Sequence, residues 1–350
     1  MLSTVPLAVR EGPYFQDVMA QPQALRATHA WLAEPGRWRH VQQFVSARPW
    51  TRVVLTGMGS SYHTFHPLNL ALIAAGRTPV MMEASELIHY GLALCDEHTL
   101  VIAASQSGAS AEIVRLLEAK TRASVLGVTN TADSPLARGA GAALLVQAGP
   151  EHSVSCKTYV AGMLALQWLA GLMTGADEQH TLRRLGAAAE LAESYLRGWP
   201  AHTGALAARL RGKRHLFLAG RGSSLSAVGT GALITKEATR VHAEGMSSAA
   251  FRHGPLEMLH ADMWVGVFGG DERTRDLNRR LVRDLVAAGG HCDEIGTEAA
   301  LGAFRLPAVD ALLQPILEIL PVQMMTLALA ALAGREAGHF ERASKITATE

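Results

Sequence analysis

Cysteine is scarce in this sequence. Cys95, Cys156 and Cys292 are the three cysteines among 350 residues, and they lie far apart without the CxxC spacing of a metal site. Isolated thiols of this kind are typical of a reducing compartment. They favour neither a disulfide framework nor a zinc site.

An excess of charge of either sign is also absent. Lys and Arg number 32, Asp and Glu number 31, and the net charge is +1. A nucleic-acid groove or a membrane-surface patch would need clustered basic residues. No run of like charge occurs, so the sequence favours neither partner.

Long apolar runs and a secretion signal are missing as well. The N-terminal stretch MLSTVPLAVREGPYF has no basic segment followed by an apolar one. The longest apolar segments are interrupted by Gly, Gln or charge before about 18 residues, the length of a membrane span. We therefore expect no signal peptide, no membrane span and a cytoplasmic location.

Apolar residues are abundant, at 49% of the chain, and the sequence contains an internal repeat. Residues 55–61 read LTGMGSS and residues 218–224 read LAGRGSS. Each follows a short apolar run and precedes a helical pattern, which together predict the strand, turn and helix of a βαβ unit. Because a chain of this length usually forms two domains, we interpret the repeat as a duplicated domain.

The repeat extends to a second unit in each half. Residues 99–120 and residues 263–289 both read as an apolar strand, a small-residue turn and an amphipathic helix, and a third strand follows each. Apolar strands alternating with helices predict an α/β fold, with parallel sheets and helices on both faces. The apolar stretch at 312–333 is predicted to be a core helix, with an interface helix as the alternative.

The turn after the strand LVIAA is rich in neutral hydrogen-bond donors. It reads SQSGAS, residues 105–110, and stands between a strand end and a helix start. Helix starts attract anions, and open α/β sheets bind ligands at the carboxyl ends of their strands. A plain helix cap is the alternative. Asp271 and Glu272 occupy the equivalent turn of the second half and would repel a phosphate, so one phosphate pocket is expected.

Four segments in the same order resemble the sugar isomerase (SIS) domain family. SQSGAS is similar to the family's phosphate loop, and KEATRVHAEGMSSAAFRHGPLEML, from Lys236 to Leu259, resembles the isomerase half of the glucosamine-6-phosphate synthases. EHSVSCKTYVAG, from Glu151 to Gly162, and the C-terminal RASKITATE are similar to further segments of those enzymes. The first of these two is one residue shorter than its counterpart.

The resemblance implies two tandem SIS domains, each a parallel sheet flanked by helices in three layers, as in flavodoxin-like folds. It implies a helical segment at 1–45, a first SIS domain with the phosphate loop at 46–198 and a second SIS domain at 199–340. The tail at 341–350 would reach the active site.

The resemblance also implies catalytic roles for Glu237, His253 and Lys345. Glu237 would move a proton between sugar carbons 1 and 2, His253 would open the ring from a neighbouring subunit, and Lys345 would contact the open-chain carbonyl. These residue types suit the chemistry. A desolvated carboxylate is a stronger base, histidine exchanges protons near neutrality, and lysine forms imines or stabilises enolate charge.

A binding set and partners follow from the same resemblance. The phosphate and substrate ligands would be Gly59, Ser60, Ser61, Ser105, Gln106, Ser107, Ser110 and Ser155. His242 and Glu244 are weaker candidates, which would either support the site from behind its ligands or be purely structural. Proton transfer requires no cofactor, and no metal is expected, because His63 and His66 have no acidic or cysteine partner at a convincing spacing. The expected partners are a hexose or hexosamine 6-phosphate and a second copy of the chain, in a homodimer with shared active sites.

Two departures from the synthases narrow the expected reaction. Ile234 stands where the synthases carry a lysine, and Leu2 follows Met1 where a glutaminase domain needs a nucleophilic cysteine. We therefore expect no ammonia production from glutamine. The leading hypothesis is deamination of glucosamine 6-phosphate to fructose 6-phosphate and ammonia. The alternatives are an aldose/ketose phosphate isomerase, a fructosamine-6-phosphate deglycase and a sensor that binds a phosphosugar without turnover.

Overall fold

The computed structural model describes residues 7–342, 344–347 and 349, which divide into two compact units. The four-stranded unit comprises residues 7–22, 152–156 and 188–341, and the five-stranded unit comprises the other described residues. Each unit contains one parallel sheet. The domain boundaries expected from the sequence stay a prediction.

Helices separate most of the strands along the chain. In the described residues they are α1 Leu7–Glu11, α2 Pro13–Met19, α3 Gln21–Leu32, α4 Arg39–Ser46, α5 Gly59–His63, α6 Phe65–Ala74, α7 Ala84–Glu86, α8 Ala111–Glu118, α9 Pro135–Gly139, α10 Lys157–Met173, α11 Glu178–Leu185, α12 Ala188–Leu196, α13 Trp199–Leu210, α14 Leu225–Thr239, α15 Ser248–Arg252, α16 Arg275–Ala287, α17 Gln314–Leu317 and α18 Ile319–Leu332.

The sheet of the five-stranded unit has the order β2-β1-β3-β4-β5, with every neighbouring pair parallel. Its strands are β1 Arg52–Gly57, β2 Pro79–Glu83, β3 Thr99–Ala104, β4 Ser124–Thr129 and β5 Ala142–Leu145. Every residue of β3 is buried, because this central strand is covered on both faces. Its continuous apolar sequence follows from that position.

The sheet of the four-stranded unit has the equivalent order, β7-β6-β8-β9, and is also parallel throughout. Its strands are β6 His215–Gly220, β7 His242–Ser247, β8 Met263–Phe268 and β9 Cys292–Ile295. The repeated turns have matching backbones, since Gly59 and Gly222 have φ of 52° and 60°. That conformation favours glycine. The predicted α/β fold of two helix-flanked parallel sheets is confirmed.

Each sheet packs its own hydrophobic cluster. In the five-stranded unit Val101 of β3 packs in a cluster that includes Cys95, and in the four-stranded unit Val265 of β8 packs in one that includes Cys292. Burial raises the pKa of the Cys95 thiol and raises the pKa of Cys292 to about 11. Both thiols are therefore held in the protonated, unreactive form.

The segment Gln314–Leu332 is long and apolar enough to cross a membrane, with a mean hydropathy of 1.7. In this structure 89% of an 18-residue stretch of this segment is buried inside the protein. A core helix has the same length and composition, and the burial fits that class. The expectation of a core helix therefore agrees with the structure.

Candidate functional site

The carboxyl ends of β1 and β3 meet where the strand order changes direction. From β1 the chain continues to β2 on one side and then crosses to β3 on the other. Gly57 and Ala104, the last residues of β1 and β3, are partners in the register. A Cβ atom on Gly57 would lie 2.7 Å from the Ala104 carbonyl oxygen, so the two turns that follow are close together. Flavodoxin-like sheets bind ligands at this point.

The turn of residues 105–110, here named the phosphate loop, is closed by its own hydrogen bonds. The Gly108 N–H donates to the Ser105 carbonyl oxygen at 3.2 Å, with the Ser105 Oγ at 3.1 Å. The Leu136 N–H donates to the Gly108 carbonyl oxygen at 2.9 Å. The Gly108 peptide is therefore fixed on both sides.

The Gln106 carbonyl is also turned into the protein. It accepts from the Asn130 N–H at 3.2 Å and from the Thr129 hydroxyl at 3.2 Å. Because this acceptor is occupied, it does not face an incoming anion. The loop contains no Lys or Arg, so its ligand would be held by neutral donors and the start of α8.

Ser110 does not support the alternative in which the serine-rich turn serves only as a helix cap. This residue is the N-cap of α8, with φ −62° and ψ 148°, but its side chain makes no capping hydrogen bond. Ser134, by contrast, caps α9 by accepting from the Ala137 N–H at 3.1 Å. The Ser110 hydroxyl is therefore not used to stabilise its own helix.

The turn after β1 adds a buried hydroxyl. Ser60, at the start of α5, is 8% exposed, and among the described residues its Oγ has no hydrogen-bond partner. A buried polar atom without a partner costs free energy unless a ligand or water satisfies it. Ser61 follows it and is half-buried. These two serines suit the ligand role predicted for them.

The C-terminal tail reaches the start of α8 within the five-stranded unit. The Ala111 N–H, the first of the helix, donates to the Thr347 carbonyl oxygen at 3.1 Å. Two residues earlier, the Lys345 ammonium lies 2.5 Å from the Glu151 Oε2. The structure therefore brings Lys345 and the phosphate loop into one region of the unit.

Glu151 is a residue that the sequence reasoning missed as a functional group. Its side chain is fully buried, and it accepts from the Thr158 N–H at 3.0 Å and from the Thr158 hydroxyl at 2.8 Å, besides pairing with Lys345. A buried carboxylate needs such partners. The signal available in the sequence was its place at the head of the segment EHSVSCKT, together with the need for an anion opposite Lys345.

Glu237 lies on α14 of the four-stranded unit and is half-buried. Ile234, one helical turn earlier, is fully buried, so an aliphatic side chain lies on the same side of the helix as the carboxylate. The end of α14 is fastened to the chain before the tail, because the Gly338 N–H donates to the Ala238 carbonyl oxygen at 3.1 Å.

His253 and Ser155 belong to the same unit. His253 is exposed at the end of α15, and its N–H donates to the Ala250 carbonyl oxygen at 2.9 Å. Ser155 is half-buried in the loop at 152–156. Ser153 of that loop donates its hydroxyl to the Gly338 carbonyl oxygen at 2.6 Å, which fixes the loop beside residue 338.

The equivalent edge of the second sheet is acidic. It holds a cavity of about 210 Å³ whose lining includes Gly270, Glu272 and Glu318. The Glu318 Oε1 accepts from the Ser224 hydroxyl and the Gln314 amide, each at 2.8 Å. Burial, opposed by these hydrogen bonds and assisted by the charge of Asp271, raises the pKa of Glu318 to about 7. Arg275 also lines this cavity, and the expectation that a phosphate binds only in the first sheet stays a prediction.

The SIS domain family model matches residues 47–172 and 209–333, one stretch for each sheet. The chain therefore belongs to the SIS domain family, and the resemblance seen in its motifs is confirmed. Glutamine–fructose-6-phosphate aminotransferase (isomerizing) of Pyrococcus horikoshii is 32% identical over 295 residues, which cover 81% of this chain and 49% of that protein. The chain thus spans about half the length of this curated relative.

Two solved structures share the fold. The C-terminal domain of glucosamine-fructose-6-phosphate aminotransferase from Francisella tularensis has a TM-score of 0.83 at 20% identity, over 94% of this chain and 98% of that one. Glucosamine-6-phosphate deaminase from Thermotoga maritima has a TM-score of 0.73 at 17% identity, over 94% of this chain and 98% of that one. At these identities the likeness shows the fold alone.

The structure groups the predicted site residues by unit. The five-stranded unit holds Gly59, Ser60, Ser61, Ser105, Gln106, Ser107, Ser110 and Lys345, and the four-stranded unit holds Ser155, Glu237 and His253. Within the five-stranded unit the serines and Lys345 lie around one sheet edge. The catalytic and binding roles of all these residues stay predictions.

Gly108→Ala tests whether the backbone of the phosphate loop creates the binding site. Gly108 has φ 62°, and a Cβ atom would lie 2.5 Å from the Ser134 Cβ. We expect loss of roughly 1–3 kcal/mol in the free energy of unfolding, together with at least a tenfold weaker affinity for fructose 6-phosphate. Urea unfolding and isothermal titration calorimetry measure the two effects.

Gly149→Ala is the matched control, because Gly149 has φ 70° in the same unit and nothing lies within 4 Å of the added Cβ. It should lose stability through the backbone strain but keep its affinity. Equal affinity in both variants would contradict the assignment of the loop.

Glu318→Gln tests the buried acid of the second sheet. The pKa of Glu318 is raised from 4.5 to about 7, so its stabilising contribution is complete below pH 4.5 and is lost as the pH rises through 7. The wild-type protein should lose up to roughly 3 kcal/mol of unfolding free energy across this window relative to the variant. Urea unfolding at several pH values between 4.5 and 8 measures the difference.

Glu341→Gln is the control, because the hydrogen bond from Arg240 lowers the pKa of the exposed Glu341. Removal of that carboxylate should not change how the unfolding free energy varies between pH 4.5 and 8. A parallel profile for Glu318→Gln and the wild type would show that Glu318 does not titrate in this window.

Proposed function

We propose that this chain is a phosphosugar enzyme that deaminates glucosamine 6-phosphate, or a close amino sugar phosphate, to the ketose phosphate and ammonia. The observation that carries the proposal is the position of the tail. Thr347 contacts the first N–H of α8, and Lys345 is held by the buried Glu151. An ammonium group is thereby kept in the same region as a loop of neutral donors.

The phosphate loop supports a phosphomonoester as the ligand group. Three serine hydroxyls, at positions 105, 107 and 110, accompany the Gln106 amide, and Ser60 adds a buried hydroxyl without a partner among the described residues. Neutral donors at a helix start hold an anion without a permanent cation. Because neutral groups hold the phosphate, the charged residues of the proposed site are available to act on the sugar.

The reaction needs proton transfer and water but no change of oxidation state overall. After His253 assists ring opening, Glu237 removes the proton from C2 of the open-chain aldehyde, and the electron pair moves to the carbonyl oxygen as an enolamine forms. The proton returns to C1, and one N–H proton passes to the C1 oxygen, which gives a C1 hydroxyl and the imine at C2. Water adds to that carbon and ammonia leaves, which produces the 2-ketose. Lys345 stabilises the oxygen anion during the first step.

The names of two compared proteins motivate the choice of this substrate class. The relative from Pyrococcus is named as an aminotransferase acting on fructose 6-phosphate, and the Thermotoga neighbour is named as a glucosamine-6-phosphate deaminase. We extend this chemistry to the present chain in a cytoplasmic location. His253 is exposed in the single chain, which is consistent with a role in a second copy of the chain within a homodimer.

Incubation of the purified protein with glucosamine 6-phosphate tests the proposal. We expect equal amounts of ammonia and fructose 6-phosphate, each measured by a coupled assay. Glu237→Gln should lower the rate by roughly 10²- to 10⁴-fold, because the proton-transfer base is lost. Lys236→Gln, on the adjacent exposed position of the same helix, is the matched control and should keep the rate.

The reaction products distinguish the proposed deaminase from the alternative functions. Interconversion of aldose and ketose phosphates without ammonia would favour an isomerase, and release of an amino acid from a fructosamine 6-phosphate would favour a deglycase. A rise in melting temperature with the phosphosugar but no turnover would favour a sensor. Ammonia release that Glu237→Gln leaves intact would rule out the assigned base.

Glu151→Gln tests whether the buried carboxylate acts through Lys345. Loss of the ion pair should release the ammonium from its position, so we expect Glu151→Gln and Lys345→Gln each to lower kcat by at least about tenfold. In a double-mutant cycle the second substitution should add little to the first, since both remove one interaction. Steady-state kinetics of the three variants measures this coupling.

Glu178→Gln serves as the control, because Glu178 belongs to the same unit and its carboxylate accepts from the Gln42 amide at 2.8 Å. It should leave kcat unchanged. Independent, multiplicative losses from Glu151→Gln and Lys345→Gln would argue that Glu151 has no positioning role for Lys345.

A further inference from the structure

A cluster of imidazoles and carboxylates lies at the amino edge of the four-stranded sheet. His215 opens β6, His242 opens β7, and His260 and Asp262 stand just before β8. The register pairs His215 with His242 on one side and with Met263 on the other. Parallel strands begin at the same edge, so residues far apart in sequence are brought together there.

The donor atoms of His215, His260 and Asp262 all lie within 4.8 Å of one another. The His215 and His242 Nδ1 atoms are 3.5 Å apart, and the rings of His215 and His260 have centroids 5.4 Å apart. Three protein ligands with nitrogen and oxygen donors match an open zinc site. His242 provides a further imidazole beside them.

The hydrogen-bonding geometry of the His260 ring indicates a cation between this ring and Asp262. Its Nδ1 lies 2.5 Å from the Met258 carbonyl oxygen, which can only accept, so Nδ1 carries the hydrogen. The Nε2 atom then faces the Asp262 Oδ1 at 2.7 Å. Two lone pairs at this distance repel unless a proton or a metal ion lies between them. A carbonyl that fixes the tautomer of a histidine in this way is typical of metal ligands.

The surrounding charges permit a divalent ion. Arg214 pairs with the other Asp262 oxygen at 2.6 Å, but its side chain is 78% exposed and can turn into solvent. Lys213 donates to the Ala261 carbonyl oxygen at 2.5 Å. On the opposite side the Glu244 carboxylate lies 3.3 Å from the His242 Nε2. The two carboxylates therefore offset the two cations.

We propose that His215, His260 and Asp262 bind a divalent transition-metal ion of the zinc type, with the fourth position open. Nitrogen donors select zinc, nickel or copper over magnesium and calcium. Ligands of a tetrahedral zinc ion lie roughly 3.3 Å apart. The His260 Nε2 and Asp262 Oδ1 atoms are 2.7 Å apart, so the two side chains need to move apart by about 0.6 Å. Both side chains are partly exposed and can do so.

The ion would stabilise the fold by cross-linking two strands and would take no part in catalysis. It would join the starts of β6 and β8. The turns at the carboxyl ends of these six-residue strands lie roughly 17 Å from the ion. Metal binding should therefore raise the thermal stability of the four-stranded unit and leave turnover unchanged. The site is independent of the proposed deaminase activity.

Titration of chelator-treated, full-length protein with zinc chloride tests the proposal. We expect one zinc ion per chain by calorimetry and elemental analysis, and a rise of several degrees in the melting temperature. Cobalt should give the visible bands of a tetrahedral site without a thiolate charge-transfer band. Such a band would instead locate the ion at a cysteine and overturn the proposal.

His260→Ala and Asp262→Asn should each weaken zinc binding by about tenfold or more. His291→Ala is the matched control, because His291 lies at the same sheet edge, just before β9, outside the cluster. It should keep the wild-type affinity. Equal affinity in the cluster variants and in the control would refute the site.

Chemical protection gives a readout that does not depend on variants. Zinc should slow the modification of His215 and His260 by diethyl pyrocarbonate in the wild-type protein, as measured by mass spectrometry, and leave the exposed His98 unaffected. Unchanged labelling of the cluster, or a melting temperature that responds to pH but not to zinc, would show that a proton alone bridges the His260 and Asp262 pair.

Discussion

The candidate site depends on the fixed peptide of Gly108. Its N–H is bound to Ser105, its carbonyl is bound by Leu136, and Ser134 leaves no room for a side chain. These contacts fix the turn, and the Gly108 N–H orients the Ser105 hydroxyl before any ligand arrives. Preorganised neutral donors lose little entropy on binding an anion, and they remain neutral over the pH range in which a phosphomonoester is a dianion.

The two sheets show how one topology can serve different chemistry. Both follow the same strand order and use a left-handed glycine after the first strand. The first carries hydroxyls at its carboxyl edge, whereas the second carries Glu272 and the buried acid Glu318. The fold fixes where a ligand can bind, and the side chains at that edge decide its charge.

The sequence was sufficient for the fold because apolar strands and repeated turns are local patterns. The hydroxyl-rich loop was also visible, since its residues are consecutive. Glu151 and the histidine cluster were not visible as sites. Glu151 meets Lys345 across 194 residues, and His215 meets His260 only through the pairing of β6 with β8. Such contacts depend on strand register and on the path of the tail, which single-sequence patterns do not encode.

The buried thiols give each unit an internal reporter. Cys95 packs in the core of the five-stranded unit and Cys292 in that of the four-stranded unit, at 5% and 6% exposure. A thiol reagent can reach either sulfur only when the surrounding core opens. The labelling rate at each cysteine therefore measures the opening free energy of one unit separately, without an engineered probe.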